Sequence, residues 1–569
     1  MYWSPEPLFS KMVQNTTPVI LQTFVMPKTV LQHIKRKARH LTYGNAIYDW
    51  SLGGHASAFA DRMPQTIWNG DAEQGQFLCE NYFVLAGQPK QFDPHRWHAD
   101  ETDRAWIRLI HGFSWLADLK AVGGDAGRRH ARDMVTSWIE TYSHWHTLTW
   151  QPDLTGERLA NWIGFYNFYG ETAHIDFQDD LRECMMKQAR HLARTLPGNL
   201  SGLPLFMAIK GLIYAGLAFD KHDHWLEQGL DLLEQETRKQ ILKDGGHISR
   251  SPAMLQQILQ LYIDIQQSLA QCGYPVPLDM NHVIQDMAQA LRFFRHTDKG
   301  YALFHGTQEG KTAHVDALLK RVNARSRTAK SLPHTGFEKM VIGRSVIIAD
   351  ASPPPPYPYE TQTHAAPLSF EFCYGKERVF VNAGTHPFDD TWHDVLRNTA
   401  AHNTLTIDNR NAAEILESGH FGRKHRKVTR HREDKHDEAL LDMTHDGYMD
   451  VNGITHRRRL YLGDYGHDLR GEESLTCSIG LNKTHEFAIR FHLHPRVQVS
   501  LIREGQEALL RLNGGSGWRF LQNGGTHIAL ENSIYLGEGT RPRKTKQLVI
   551  YGTIDTDYTA VQWALNKEG

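Results

Sequence analysis

Two histidines and an asparagine lie in short segments whose residues alternate between apolar and polar types. His364 lies in Thr363–Phe372, Asn382 in Arg378–Thr385 and His402 in Ala401–Thr406. Alternating β-branched and aromatic residues are typical of strands, and polar groups at strand ends meet at one rim of a sheet. Imidazole rings there can exchange protons near neutral pH or bind a metal ion. The sequence therefore predicts a site at the rim of an all-β layer.

The order and spacing of these segments resemble the C-terminal half of the heparinase II/III family of polysaccharide lyases. In that family a His-Ala-Asp-x-Leu-Ser-Phe-Glu run, a Val-Asp-x-Gly-Thr run and a His-Asn-Thr run follow one another. Further motifs similar to those of the family are His445–Tyr448, His456–Arg459, Leu469–Glu472 and Arg490–Pro495. The resemblance covers roughly residues 340 to 560 and extends more loosely over the preceding part of the chain.

The apolar pattern around these segments changes once along the chain. From Trp106 to about Arg295 apolar residues recur at helical spacing, with breaks at Gly or Pro such as Pro197-Gly198. From Val341 onward residues alternate, which is typical of antiparallel sheets packed face to face. The family resemblance implies an incomplete α/α toroid for the helical part. The predicted fold class is therefore multidomain α and β, an N-terminal incomplete α/α toroid followed by a C-terminal antiparallel β-sandwich.

The length and the change of pattern predict the domain bounds. A chain of 569 residues exceeds the usual size of one hydrophobic core. We expect a lead-in segment over residues 1–100, the toroid over 101–325 and the β-sandwich over 335–569, with the join in the polar stretch Thr312–Pro333. Four prolines at 353–356 predict an extended connector, which is either a stiff loop or a peptide ligand.

Composition and charge exclude several classes of protein. Apolar residues make up 40% and charged residues 22%, as in a soluble globular protein. The net charge of −1 argues against a surface that attracts nucleic acid. The basic run Arg423–Arg432 could attract an anionic glycan or a nucleic acid, but it continues into the acidic Glu433–Asp437 and equally fits a self-compensated hairpin. Five widely separated cysteines predict neither a disulfide framework nor a thiolate zinc site.

The N-terminal segment and the apolar runs bear on localisation. Met1–Val25 has no visible secretory signal, and no stretch of about 18 apolar residues offers a membrane span. The sequence predicts a cytoplasmic protein. The family resemblance implies a periplasmic location as the alternative, and the oligomeric state is not predicted.

The resemblance also implies β-elimination on a uronate-containing polysaccharide. That reaction needs a neutralised carboxylate, a base for the proton on the adjacent carbon and an acid for the leaving oxygen. Where the family usually carries an Asn-His pair, this chain has Leu203 and Pro204. Met254 replaces the usual Tyr, and Gln362 replaces the first of two histidines. The usual catalytic apparatus is therefore absent or replaced.

Residues in the same motifs supply replacements. His247 and Arg250 lie on the loop Asp244–Pro252 and could act as a base and a carboxylate clamp. The alternative is that both satisfy carbonyl groups at helix ends.

Arg397 and Gln362 complete the predicted catalytic set with His247 and Arg250. Arg397 could bind a uronate through two parallel hydrogen bonds. It could equally form an ion pair with Asp394 or Asp408 within the domain.

An aromatic segment supplies the predicted substrate-binding residues. Arg158, Asn161, Trp162, Tyr166 and Tyr169 are spaced so that several share one helical face. Aromatic rings on such a face could stack on sugars, or they could form a core stripe. We select Asn161, Trp162 and Tyr166 from this group.

A structural zinc ion is a further implication of the resemblance, because some family members hold one in the sandwich. The corresponding ligands here are His364, Asn382 and His402. Asn382 replaces an Asp of the family, and a neutral amide is a poor zinc ligand. If zinc is absent, the histidines bond neighbouring loops or face the substrate.

Three functions are compatible with these residues. The first is an enzyme that cleaves an acidic polysaccharide by β-elimination. The second is a catalytically degenerate glycan-binding or scaffold protein in capsule or envelope assembly, because Leu203, Met254 and Gln362 replace catalytic residues. The third is hydrolysis, which needs two carboxylates, of which Asp244 is one candidate. The expected partner is an acidic polysaccharide, with no nucleic acid and no membrane span.

Overall fold

The computed structural model describes residues 41–54, 56–97, 103–322, 329–478, 480–481 and 483–568. Within these ranges the chain forms two compact units. The helical unit comprises the described residues up to 240 together with 257–284, and the β unit comprises 241–256 together with those from 285 onward. Among the described helices, none combines the length and the apolar character that a membrane crossing requires.

The helical unit is a succession of helices joined mostly by short turns. A small antiparallel hairpin, β1 (Tyr82–Leu85) and β2 (Gln88–Gln91), is inserted near its start. The helices Pro252–Cys272 and Leu278–Phe293 are divided between the two units. The other helices are Ala46–Leu52, Ala72–Cys79, Arg104–Gly112, Leu116–Val122, Gly124–Tyr142, Pro152–Gly164, Tyr166–Tyr169, Ile175–Thr195, Gly202–Ala218 and Asp223–Gln240.

Local sequence signals fix where several of these helices begin. The Asp103 carboxylate accepts hydrogen bonds from the backbone N–H groups of Ala105 (2.9 Å) and Trp106 (3.2 Å). This is the side-chain cap that a helix start requires, because the first N–H groups have no partner within the helix. Pro152 occupies the first turn of its helix, where no N–H is needed.

Two glycines allow two helices of this unit to approach closely. A Cβ atom on Gly211 would lie 2.4 Å from the Cα of Gly156, and one on Gly156 would lie 2.5 Å from the Cα of Ala208. Protein interiors are close-packed, so neither backbone can yield without moving its neighbours. The contact between Pro152–Gly164 and Gly202–Ala218 therefore requires glycine at both positions.

We expect Gly211→Ala to lower the free energy of unfolding by about 3 kcal/mol, at the upper end for an overpacked site, because the added methyl meets backbone atoms. Urea unfolding followed by circular dichroism measures this. Gly164→Ala is the matched control, since its Cβ would have nearest neighbours at 3.7 Å. The control should change stability by less than about 1 kcal/mol, and equal effects in the two variants would contradict the packing argument.

Besides its parts of the two divided helices, the described part of the β unit contains antiparallel strands and the α-helices Thr312–Val322, Asp390–Leu396 and Met449–Asn452. The strands are β3 (Ser331–Leu332), β4 (Phe337–Ile342), β5 (Ser345–Asp350), β6 (Phe370–Tyr374), β7 (Glu377–Phe380), β8 (Leu405–Ile407), β9 (Val428–Asp434), β10 (Ala439–Tyr448), β11 (Ile454–Gly463), β12 (Asp468–Cys477), β13 (His485–His492), β14 (Gln498–Ile502), β15 (Glu507–Arg511), β16 (Gly517–Asn523), β17 (His527–Tyr535), β18 (Arg543–Ile554) and β19 (Tyr558–Lys567).

Three sheets organise these strands. An eight-stranded sheet has the order β14-β15-β16-β19-β12-β11-β10-β9, a four-stranded sheet β17-β18-β13-β8, and a five-stranded sheet β3-β4-β5-β6-β7. Large side chains from all three sheets share one core, in which Phe370 of β6 stacks on Trp563 of β19 with ring centroids 5.7 Å apart. The predicted sequence of a helical part followed by antiparallel β layers is confirmed.

The junction differs from its prediction. Thr312–Val322, expected to open a polar join, is a helix, because Val315, Leu318 and Leu319 fall on one face and are buried. The compact units also divide the chain differently from a single cut near residue 330, since 241–256 and the residues after 285 belong with the strands. The domain bounds 1–100, 101–325 and 335–569 stay predictions.

Candidate functional site

The loop 244–252 is clamped to the turn that precedes β4. The Asp244 carboxylate accepts hydrogen bonds from the backbone N–H groups of His334 (2.6 Å) and Thr335 (2.8 Å) and from the Thr335 hydroxyl (2.7 Å). A Cβ on Gly246 would lie 1.8 Å from Thr335 Oγ1, so no larger residue fits there. Asp244 therefore has a structural role, which removes it as a candidate acid for hydrolysis.

His247 lies on this loop with its ring buried. Its Nδ1 accepts a hydrogen bond from the Ser249 backbone N–H (3.1 Å) and lies 2.7 Å from the Ser249 hydroxyl. Burial, followed by the charge of Arg250, lowers the pKa of His247 to about 3. The ring of Tyr359 meets it edge-on at 6.3 Å. His247 is therefore a neutral imidazole whose Nδ1 serves the loop itself.

Arg250 is also buried, and it donates to carbonyl oxygens. Its guanidinium bonds Pro353 O (3.2 Å) and His334 O (3.5 Å). The predicted alternative, in which Arg250 satisfies carbonyl groups, describes this contact, although the carbonyls belong to loops rather than to helix ends. In this arrangement two of its donors are unavailable to a uronate.

His364 and His402 come together as predicted for one rim, and His305 joins them. The rings of His364 and His402 stack with centroids 4.4 Å apart. The backbone N–H groups of His305 (3.2 Å) and Gly306 (2.9 Å) point at the two ring nitrogens of His364, and the His364 N–H in turn donates to His305 Nδ1 (3.2 Å). This reciprocal pair ties two loops together.

Asp350 closes the cluster at the end of β5. Its carboxylate lies 3.0 Å from His305 Nε2 and accepts from the Ser352 N–H (2.9 Å). Burial alone would raise the pKa of the Asp350 carboxyl, but His305 and Ser352 hold that pKa below its ordinary value. Sequence reasoning missed both His305 and Asp350. The one local signal was a histidine before glycine at the end of the apolar run 302–304.

Arg397 and Gln362 lie beside this cluster. The Arg397 guanidinium donates to Thr363 O (2.8 Å) and Glu360 O (3.1 Å), and its side chain is 1% exposed. Asp394 lies 4.0 Å from it, so the predicted ion pair is marginal, while Asp408 instead bonds His485. Gln362 is half-buried against Gly306. Arg397 therefore orders the 360–365 loop.

The predicted zinc ligands do not fit a zinc ion. Both ring nitrogens of His364 face N–H donors, and His402 Nε2 donates to Leu396 O (3.0 Å). Asn382 Oδ1 accepts a hydrogen bond from the Asn403 N–H (3.1 Å). The NH₂ group of Asn382 is buried and has no partner among the described residues. A zinc ion needs converging lone pairs. Across the described residues no group of three His, Cys, Asp or Glu side chains could hold a metal.

The three predicted substrate-binding residues lie in the helical unit. Trp162 is fully buried between the rings of Phe113 (5.1 Å) and Trp138 (5.2 Å), so the core-stripe alternative describes it and no ring face is left for a sugar. Asn161 is half-buried and donates to Gly112 O (2.7 Å). Tyr166 is 9% exposed and packs on another ring.

The end of the basic run lies in β9, which forms a hairpin with β10. Arg430 and Arg432 both pair with Glu338 (3.2 and 3.4 Å), and Arg432 also pairs with Asp434 (2.9 Å). These contacts match the compensated alternative in part, because Asp434 lies in the same hairpin but Glu338 lies on β4. Arg423 donates to backbone carbonyl oxygens instead.

Comparison with known proteins identifies the family. The model described as heparinase II/III N-terminus matches residues 72–325, and the one described as heparinase II/III-like, C-terminal, matches residues 324–564. The chain belongs to the heparinase II/III family. A relative, FtsZ-localized protein C of Caulobacter vibrioides (strain NA1000 / CB15N), is 30% identical over 515 residues, which cover 87% of this chain and 88% of the relative.

Solved structures of heparinases share the fold of this heparinase II/III family member. A crystal structure of heparinase III matches with a TM-score of 0.71 at 12% identity, covering 94% of this chain and 91% of that one. Heparan sulfate lyase HepC from Pedobacter heparinus matches with a TM-score of 0.62 at 14% identity, covering 95% and 88%. The predicted toroid followed by a β-sandwich is therefore confirmed.

The chemistry open to the site follows from burial. A base for β-elimination must be unprotonated and must reach the substrate. His247, His364 and His402 meet the first condition, since burial lowers the pKa of each. All three are at least nine-tenths buried, and most of their ring nitrogens face protein groups. This geometry orders loops more readily than it transfers protons.

Proposed function

We propose that this chain, which has the fold of polysaccharide lyases, works as a binding or scaffold protein that handles an acidic envelope polysaccharide together with FtsZ. It does not cleave that polysaccharide. The observation that carries the proposal is the burial of every predicted imidazole base, together with the commitment of both candidate arginines to backbone carbonyls.

The three positions of the usual catalytic residues support the same conclusion. Leu203 and Met254 are half-buried apolar side chains, and neither can exchange a proton. Gln362 is an uncharged amide that cannot act as a base near neutral pH. An enzyme with this set would lack both the group that removes the proton and the group that returns one to the leaving oxygen.

Association with FtsZ is proposed from the relative. FtsZ-localized protein C shares 30% identity along most of both chains, well above the 12–14% shared with the lyase structures. We extend the FtsZ association in its name to this chain, and with it the cytoplasmic location predicted from the sequence.

The test measures cleavage and binding on the same samples. Purified protein is incubated with heparan sulfate, chondroitin sulfate, hyaluronan and alginate, and the ultraviolet absorbance of unsaturated uronate is followed. We expect no increase, retarded migration in a gel that contains the bound polysaccharide, and recovery of the protein on immobilised FtsZ. Cleavage of a polysaccharide that disappears in His247→Asn would overturn the proposal. A protein that binds neither the glycan nor FtsZ would also overturn it.

A lyase remains the second candidate because of Tyr359. This half-exposed tyrosine lies against His247, and tyrosine can act as acid or base in proton transfer. If unsaturated product does form, this candidate requires Tyr359→Phe to abolish it while glycan binding persists.

A further inference from the structure

A cavity of about 390 Å³ lies in the β unit, beside the segment that leads to His402, since Leu396 and Ala401 line it. Its walls come from the helix Asp390–Leu396 and the residues 400–401 that follow it, and from strands β13, β17 and β18. None of the candidate catalytic residues lines it. Its size falls within the range of small-molecule sites.

Arg490 brings a buried positive charge to this cavity. The side chain belongs to β13, and the residue is 3% exposed. Its guanidinium makes one hydrogen bond, to Thr406 Oγ1 (2.7 Å), and no carboxylate of a described residue lies within 4.0 Å of it. Buried charges are normally paired, as Arg378 is with Asp298 at 2.7 Å. Glu531 attracts Arg490 only from beyond 4.0 Å, so no carboxylate of a described residue contacts the guanidinium directly.

The acidic group in the cavity wall is already engaged. Glu531 accepts hydrogen bonds from the Tyr551 hydroxyl (2.6 Å) and from Gln547 Nε2 (3.2 Å), one on each oxygen. Gln547 is 8% exposed, and its Oε1 is buried without a partner. A ligand therefore meets an unpaired guanidinium and an amide oxygen that has no donor.

The rest of the lining decides the ligand class. Apolar surface comes from Trp392, Val395, Leu396, Ile534, Ala383 and Ala401. The remaining polar lining residues are Asn409, His492, Asn532, Ser533 and Lys544. A free phosphate would leave this surface unused, and a neutral hydrocarbon would leave the charge unpaired. We propose that the cavity binds a small organic carboxylate, its planar carboxylate on Arg490 and its apolar body against Trp392.

Calorimetric titration of the full chain with indole-3-acetate tests this, with indole-3-acetamide as a probe of the same shape and no charge. The acid should bind at least about tenfold more tightly than the amide, because only the acid pairs with a guanidinium. Arg490→Met should lose that preference, whereas Arg511→Gln, an exposed arginine outside the cavity, should keep it. Val395→Trp fills the cavity with Arg490 intact and should abolish binding of both probes.

A second readout separates a ligand site from a structural arginine. Without ligand, Arg490→Met should unfold at the same temperature as the natural chain or higher, because it removes an unpaired buried charge. Equal binding of acid and amide, tighter binding of glucuronate than of indole-3-acetate, or no binding of the acid at all would each overturn the proposal. Unaltered binding in Val395→Trp would place the ligand elsewhere and would do the same.

Discussion

Lowering the pH from about 7.5 to about 5 is expected to remove roughly 6 kcal/mol from the free energy of unfolding, enough to unfold many proteins of ordinary stability. His247, His402 and His492 cause this effect. Burial, more than neighbouring charges, lowers the pKa of each ring from 6.5 to about 3.

The sign follows from proton uptake by these three histidines. The unfolded chain binds their protons as the pH falls below 6.5, whereas the folded protein binds them only near pH 3. Stability is therefore lost with acidity between these values, by about 1.4 kcal/mol per pH unit for each group. At pH 5 this amounts to about 2 kcal/mol for each of the three.

His296 acts in the opposite direction at alkaline pH. Although burial lowers it, Cys373 and Glu371 raise the pKa of His296 to about 9, and its Nε2 lies 2.8 Å from a Glu371 oxygen. Its contribution is complete below 6.5 and is lost as the pH rises through 9. Stability should therefore be greatest near neutral pH.

Urea unfolding across the pH range, followed by tryptophan fluorescence, measures both limbs. His247→Asn is the informative variant, because an Asn side-chain oxygen can still accept from the Ser249 N–H but does not titrate. This variant should take up as many as one proton fewer on unfolding between neutral pH and about pH 5, and should therefore lose less stability over that range. A stability that stays constant between neutral pH and about 5 would show that these imidazoles are not buried as described.

Replacing Glu473 by Leu is expected to cost about 3–5 kcal/mol, because it leaves a buried guanidinium without its counter-charge. Glu473 has no exposed side-chain surface, and it accepts from Arg458 Nε (2.8 Å) and Trp563 Nε1 (3.1 Å). His456 Nε2 lies 2.7 Å from its other oxygen. All of these groups lie in the core of the sandwich.

Two further variants separate lost charge from lost packing. Arg458→Met combined with Glu473→Leu should recover at least half of the loss, since the pair is then apolar. Recovery should be incomplete because Arg458 also donates to Leu368 O (2.7 Å) and Asn403 O (2.6 Å). Glu472→Leu, the adjacent residue with a half-exposed arginine partner, should cost less than about 1 kcal/mol. If the double variant lost as much stability as Glu473→Leu and Arg458→Met lose separately, taken together, the two side chains would not be coupled.

The elements of the fold were predictable where burial imposes a period. The helical spacing between Trp106 and Arg295 predicts helices such as Gly202–Ala218, and the alternation after Val341 predicts strands such as β13. The prediction of a polar join at Thr312–Val322 is wrong. Its Lys and Arg residues suggest a loop, but three apolar residues on one face are buried and form a helix. Charged residues on the solvent face do not prevent a helix.

The site was less predictable because a residue type does not specify what its atoms contact. His364 and His402 were expected at one rim at strand ends, and their rings do stack, but both lie in loops ahead of β6 and β8 rather than at strand ends. No sequence pattern predicts that the backbone N–H groups of residues 305 and 306 face the two ring nitrogens of His364. The same holds for Arg397, whose partners are carbonyls of residues 360 and 363 rather than a carboxylate.

The assignment of residues 241–256 to the β unit affects how this protein can be dissected. Thr335 and His334 depend on Asp244 for their hydrogen bonds, although about ninety positions separate them along the chain. A truncation that starts near residue 330 would leave those N–H groups without an acceptor and the 335 turn without its glycine neighbour. Gene fusions, domain swaps and deletion mapping should therefore keep everything from residue 241 onward on one polypeptide.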